Sequence, residues 1–148
     1  MSKDFKHILV PTDGTEFCEQ AVRHAAQLAK ALGAKLSIVT VVKPIRPQVT
    51  ATIPADLQQE IATRSQRDTE DLLARSTKLA AEAGVASTTA TAHHEQIWQG
   101  IIDQAERLGA DLIAMASHGR RGLSAILLGS ETHKVVTHTS LPVLVYRS

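Results

Sequence analysis

Two short segments of the 148-residue sequence carry residue types suited to holding an anionic ligand. The first, Pro11-Thr12-Asp13-Gly14-Thr15-Glu16, directly follows the apolar run Ile8-Leu9-Val10. The second runs Ala116-Ser117-His118-Gly119-Arg120-Arg121-Gly122-Leu123 and continues to Leu128-Gly129-Ser130-Glu131-Thr132. Glycines at 119, 122 and 129 remove side chains where a backbone turns sharply or approaches a ligand, and Gly129-Ser130 stands where a last helix should open. The free N–H groups at a helix start attract an anion. Ser130 adds a hydroxyl donor there, and Arg120 or Arg121 a neutralising charge. Each residue also has a plainer role: Ser130 as an N-cap, Gly119 and Gly122 as turn residues, the arginines as a solvated pair. Taken singly, each is better explained that way.

Asp13 has two readings of the same kind. A carboxylate at the start of a helix is a favourable cap and needs no ligand. Beside bound phosphates a bare carboxylate repels, so if phosphates bind at the facing loop, Asp13 is expected to hold magnesium, directly or through water. Neither a Walker A loop nor a G-x-G-x-x-G fingerprint occurs, which removes the usual support for P-loop and Rossmann dinucleotide chemistry. His93-His94-Glu95 is badly placed for one metal ion, because neighbours on a strand point to opposite faces. His118 lies where it can touch a phosphate or ribose. Without a Ser or Cys nucleophile and an orienting acid it is not assigned as catalytic, and neither is any other residue. Cys18, next to Phe17, reads as an ordinary helix residue with no evident activation.

Positioning these segments requires a layered scaffold, and the apolar pattern supplies one. Ile8-Leu9-Val10, Leu36 to Val42, Val85 to Ala92, Asp111 to Ala116 and Val143 to Tyr146 read as five strands. Runs apolar on both faces imply a parallel sheet covered on both sides. Phe17, Ala21, Ala25, Leu28 and Leu32 follow one helix face and end at Gly33; Ile97, Ile101, Ala105 and Leu108 do the same and end at Gly109. A last helix starts near Ser130, anchored by Val135-Val136. The alternation predicts β-α-β units throughout, in one α/β domain over residues 1–148. The long crossover from Lys43 to Gly84 begins as a loop, interrupted by Pro44, Pro47 and Pro54, and becomes mostly helical from Ala55 to Ala83. In such sheets ligands sit outside the carboxyl ends of the strands, where neighbouring connections leave to opposite faces.

Composition narrows the partners. Lys+Arg 16 against Asp+Glu 15 leaves a formal charge of +1, no surplus for a polyphosphate backbone, so nucleic acid is not an expected partner. Aromatic residues make up 3% of the chain, Phe5, Phe17, Trp98 and Tyr146, so the core must be built from small aliphatics and base-stacking platforms have little material. One cysteine excludes an intramolecular disulfide framework and a multi-cysteine zinc site. The segment Met1 to His7 has no apolar stretch of signal-peptide type, and no uncharged apolar run approaches bilayer length. A cytoplasmic protein without a membrane partner is expected.

Taken together and in order, the motifs resemble the universal stress protein family. They are Ile8-Leu9-Val10-Pro11-Thr12-Asp13, Gly109-Ala110-Asp111-Leu112-Ile113, Ser117-His118-Gly119-Arg120-Arg121-Gly122-Leu123, Leu128-Gly129-Ser130 and the final Leu141-Pro142-Val143-Leu144-Val145. The resemblance spans the chain. It implies a three-layer open twisted parallel sheet of five strands in the order 3-2-1-4-5, with helices on both faces, as in adenine nucleotide alpha hydrolase-like folds. That order makes strands 1 and 4 neighbours and joins the two segments into one site. Nucleotide-binding members carry Gly, two residues, Gly, nine residues, then Gly followed by Ser or Thr. Here Gly119, the nine residues from Arg120 to Leu128, and Gly129-Ser130 match, while Ala116 replaces the first glycine, a methyl group expected to narrow the pocket.

The resemblance places Pro11, Thr12 and Asp13 on the adenosine and metal side and the main chain of Val41 at the adenine edge. Gly119, Arg120, Gly129, Ser130 and Glu131 would surround ribose and phosphates, and Ala116 and His118 of the same segment are counted with them as candidate nucleotide-binding residues. ATP or AMP is the implied ligand, with magnesium accompanying ATP. The function implied is that of a regulatory stress-response protein, a homodimer pairing the last strand from Leu141 to Tyr146, which would otherwise be an exposed apolar edge. Three alternatives compete: a slow magnesium-dependent ATP hydrolase or nucleotidyl transfer enzyme, a flavodoxin-like flavin or receiver domain, and a dimer whose Ala116 has closed the nucleotide site. The flavin or receiver reading is disfavoured because too few aromatics are present to sandwich a flavin and no acidic pair follows strand 1.

Overall fold

The computed structural model describes residues 4–45, 48, 51–118 and 128–147. The chain alternates strand and helix: β1 (His7–Pro11), α1 (Glu16–Leu32), β2 (Lys35–Val42), α2 (Ala55–Glu82), β3 (Ser87–His93), α3 (Ile97–Leu108), β4 (Leu112–Ala116), α4 (Ser130–His138) and β5 (Val143–Tyr146). The strands form one five-stranded sheet in the order β3-β2-β1-β4-β5, with every pairing parallel. The expected order is the observed one. Gly33 and Gly109 end α1 and α3 with φ of 66° and 75°, left-handed conformations that cost glycine little.

Strand alternation sorts the apolar side chains between two cores. Ile8 and Val10 of β1, Ile38 of β2 and Ala114 of β4 pack against Ala21, Ala25 and Ala29 of α1 and Leu73 and Ala80 of α2. Leu9, Val39, Ile113 and Met115 point the other way, onto Ile101, Ile102 and Ala105 of α3 and Val135 of α4. The alanine face of α1 is wholly buried, which brings that helix close to the sheet and accounts for a core with few rings. α2 buries only Leu73, Ser76 and Ala80, all in its second half. No helix among the described residues is long and apolar enough to cross a membrane.

The connection after β1 therefore runs over one face of the sheet and the connection after β4 over the other. β1 and β4 are neighbours, paired Ile8 to Leu112 and Leu9 to Ile113. Their carboxyl ends form the switch point where both chemistry-bearing segments begin.

Candidate functional site

On the β1 side the loop is built from its own hydrogen bonds. Thr12 N donates to Val39 O at 2.9 Å, the last link between β1 and β2, and the buried Thr12 hydroxyl accepts from Gly14 N at 3.1 Å. One carboxylate oxygen of Asp13 accepts from Thr15 N at 2.9 Å and from the Thr15 hydroxyl at 2.6 Å. Thr15 Oγ1 in turn accepts from Cys18 N at 3.4 Å and is the N-cap of α1. The capping role considered for Asp13 thus belongs to Thr15. Asp13 orients the cap from two residues upstream, the geometry of an Asx turn. Cys18 is buried just behind this loop, and burial pushes its thiol up to about 11, so it is not an activated nucleophile.

On the β4 side, α4 is docked by close backbone contacts. Gly129 N donates to Ser117 O at 2.6 Å, and Ser117 N donates to Tyr146 O at 2.8 Å. A Cβ at position 129 would lie 3.1 Å from both Ser117 O and His118 Cα, so the close approach, and not the dihedral angles, favours glycine here. The cap position of α4 is Gly129, and Ser130 is the first helical residue, exposed. The plainer reading of Ser130 as an N-cap therefore does not hold. The first amides of α4 have no side chain at the cap position to satisfy them, which is the condition for attracting an anion. The Thr132 hydroxyl donates to Ala116 O at 2.9 Å and fixes the helix start against the end of β4.

The Ala116 methyl belongs to the α1-side core and Ala116 is 4% exposed, so it fills space beneath α1 and not in front of α4. The narrowing anticipated from its sequence position has no counterpart on the α4 side. The His118 ring lies 4.4 Å from the Phe17 ring, drawn toward α1. The Glu131 carboxylate turns away from its own helix and accepts from Trp98 N of α3 at 2.8 Å. Val42 O faces β3, accepting from His94 N, and Val39 O faces β1. By alternation the main-chain N–H and C=O of Val41 face the β1 side, beyond the end of that strand. The Val41 side chain packs on Gly100 of α3, where an added Cβ would meet it at 2.8 Å. Gly119 and Arg120, with Arg121 and Gly122, lie outside the described residues.

Pro11, Thr12, Asp13, Val41, Gly129 and Ser130 each lie at or just beyond the carboxyl ends of the adjacent strands β1, β2 and β4, while His118 and Glu131 engage neighbouring helices. Two contributors were not legible in the sequence: Gly100, which lets α3 close on Val41, and Trp98, which receives Glu131 from 33 residues away. Among the described residues no group of three His, Cys, Asp or Glu side chains is arranged to hold a metal ion. With one Asp13 oxygen already engaged by Thr15, a magnesium ion here would take most of its ligands from phosphate oxygens and water. His94 Nδ1 accepts from Gln96 N at 2.9 Å, and its other nitrogen lies 3.9 Å from Asp103.

At the opposite, amino end of the sheet, His7 Nε2 shares a hydrogen bond with Ser37 Oγ at 2.7 Å, and Ser37 shares another with Thr88 Oγ1 at 2.9 Å. Burial, reinforced by Lys35 and opposed by Asp111, holds the His7 pKa below its ordinary value. Asp111 accepts from the backbone of Lys6 and His7. Although burial acts to raise its pKa, these amides hold its carboxyl below the usual range.

Residues 4–147 match the profile of the Universal stress protein family. Universal stress protein MJ0531 of Methanocaldococcus jannaschii is 32% identical over 97% of this chain and 82% of its own length. Universal stress protein YxiE of Bacillus subtilis is 31% identical over 97% of this chain and 99% of its own. Among solved structures, universal stress protein UspA from Lactobacillus plantarum superposes with a TM-score of 0.82 at 21% identity, covering 99% of this chain and 100% of that one. A universal stress protein in complex with cAMP superposes at 0.73 and 22% identity, covering 97% and 98% of the two chains. The universal stress protein from Archaeoglobus fulgidus in complex with dAMP superposes at 0.71 and 16% identity, covering 99% and 100%. The structural likenesses carry the fold; the profile and the two near-full-length relatives carry the family, and this chain belongs to the universal stress protein family.

Proposed function

We propose that the protein binds an adenine nucleotide, ATP or AMP, across the carboxyl ends of β1 and β4 and acts as a cytoplasmic, homodimeric stress-response regulator. The observation that carries this reading is the start of α4: a glycine-opened helix whose first amides lack a side-chain cap, docked within 2.6 Å of Ser117 O beyond the carboxyl end of β4, the strand beside β1. Phosphate would meet the main chain at Gly129 and Ser130, joined by Gly119 and Arg120 of the preceding loop. Adenine would meet the main chain of Val41, with Pro11 and Thr12 beside it. Main-chain recognition suits a protein with few aromatic residues. The placement of the Ala116 methyl on the α1 side supports an open site over a closed one. The complexes of two family members with cAMP and dAMP support the adenine class. With ATP, Asp13 would help to hold magnesium, which neutralises phosphate charge there. The reading requires binding and no turnover.

The direct test extracts nucleotide from the purified protein and titrates it with ATP and AMP, with and without magnesium. Saturable binding below millimolar ligand is expected; no binding at millimolar ligand removes the proposal. The dimer is tested separately. Leu144 on β5 is 38% exposed on the outer strand, and Leu144→Lys is expected to convert a sedimenting dimer into a monomer with an unchanged fold. A parent chain that is monomeric at micromolar concentration would remove the dimer.

A further inference from the structure

We propose that the exposed first half of α2 (Ala55–Glu82) is a weak self-association surface, on which a second copy of this chain lays the same segment side by side and antiparallel. The helix runs for about five turns before its first buried residue, Leu73. A helix in a folded protein is held chiefly by packing one face, or, when polar all round, by ion pairs between its turns. This segment has neither within its own chain. Leu57 and Ile61, one turn apart, are exposed. Asp56, Glu60, Arg64 and Arg67 line a shallow groove along the helix, and none of the four makes an ion pair among the described residues.

The order of the charges identifies the occupant. Along the groove the acidic pair comes first and the basic pair follows. A parallel copy would set like charge against like. An antiparallel copy, related by a two-fold axis near Ala62, sets Glu60 against Arg64 and Asp56 against Arg67, and the symmetry makes each contact twice. Ile61 then meets its counterpart beside the axis, and the aliphatic stem of Arg67 covers Leu57. The other acidic residues of this half stay out of the groove: Glu70 accepts from Gln66 Nε2 at 3.2 Å, and Asp68 and Asp71 border a separate cleft with Asp13 and Arg75. Two apolar side chains and exposed charges make a small interface, so its dissociation constant is expected on the order of 0.1 mM and rises with salt. α2 packs on β2 and β3, and β5 is the opposite edge of the sheet, so this contact is independent of pairing through β5.

The test uses two charge-block variants in the Leu144→Lys chain, one carrying Arg64→Glu with Arg67→Glu and the other Asp56→Arg with Glu60→Arg. All four positions are exposed, and circular dichroism checks that the fold is kept. Arg46, Arg120 and Arg121, outside the described residues, are the same in every chain compared, so they cannot distinguish one from another. Sedimentation equilibrium is run at about 0.5 mM protein in low salt, where the Leu144→Lys chain is expected to associate reversibly. Each block variant alone is expected to be monomeric, and their equimolar mixture to form a heterodimer on the order of tenfold more tightly than either associates with itself. High salt should weaken the mixture severalfold. A mixture that associates no more than its separate components overturns the proposal. So does a Leu144→Lys chain that is monomeric at this concentration, whatever the variants do, and so does association that both block variants retain unchanged, which would place it on another surface. Pairing through β5 is read at micromolar protein, where the α2 contact is not populated, so either can fail without the other.

Discussion

Gly129→Ala tests whether the docking of α4 is as close as the structure has it. At φ −62° and ψ 156° the backbone suits alanine, so the substitution carries no dihedral strain and the effect is purely one of space. The added Cβ would lie 3.1 Å from Ser117 O, 3.1 Å from His118 Cα and 3.2 Å from His118 Cβ. Comfortable carbon contacts are about 3.5–4.0 Å, and two of the three obstructing atoms are backbone, which cannot rotate away. Overpacking of this kind costs about 1–3 kcal/mol, offset by about 0.4–1 kcal/mol from the reduced freedom of the unfolded chain. The net loss is about 1–2 kcal/mol, and for a domain of this size the melting temperature falls by about 2–8 °C. Urea unfolding followed by circular dichroism should show a lower midpoint with an unchanged slope. Relief requires the start of α4 to move outward by a few tenths of an ångström and to lengthen the Gly129 bond, so affinity for AMP should also fall severalfold. Val136→Ala, an exposed change on the same helix, is the control and should stay within about 0.5 kcal/mol of the parent. A Gly129→Ala protein that melts with or above the parent and binds nucleotide equally well would refute the close approach.

Three further outcomes are expected. Because the folded protein holds the His7 pKa below its unfolded value of about 6.5, the neutral ring is the favoured form in the fold. Its contribution is complete above pH ~6.5 and is lost as pH falls from there through the folded value, so His7→Gln should flatten the stability curve on the acid side of pH ~6.5. Cys18, with its thiol raised to about 11, should react with a thiol reagent at pH 8 only through opening of the fold, at a rate that rises with urea; brisk stoichiometric labelling of the native protein would contradict its burial. Ala116→Gly should lower stability by about 1–2 kcal/mol through a lost buried methyl and a freer unfolded chain, with no gain in nucleotide affinity. A large gain would mean that the methyl does obstruct the ligand.

Much of the scaffold was legible because it is written in local spacing. The apolar period of Phe17 to Leu32 and the stop at Gly33 define α1, and the doubly apolar Ile8 to Val10 requires cover on both faces. α3 ends at Gly109 and α4 begins at Ser130, as the pattern predicts. The two loops at the switch point also follow from local sequence once the strand order is known, because each begins where an apolar run ends.

Side-chain direction was another matter, since it depends on partners distant in sequence. Asp13 and Ser130 were both candidate caps by residue type, yet the chain path makes Thr15 and Gly129 the cap residues. Ala116 stood in a motif position suggesting contact with ligand, but the pleat turns its methyl into the α1-side core. Glu131 reads as a ligand contact from its motif position, and the structure shows in addition that α3, packed beside α4, offers its carboxylate the Trp98 amide. Local periodicity alone determined the elements, their ends and the loops with chemical potential. Which way each polar side chain turns was decided only by the packing of helices on the sheet, because a hydrogen bond goes to whichever donor the fold brings within reach.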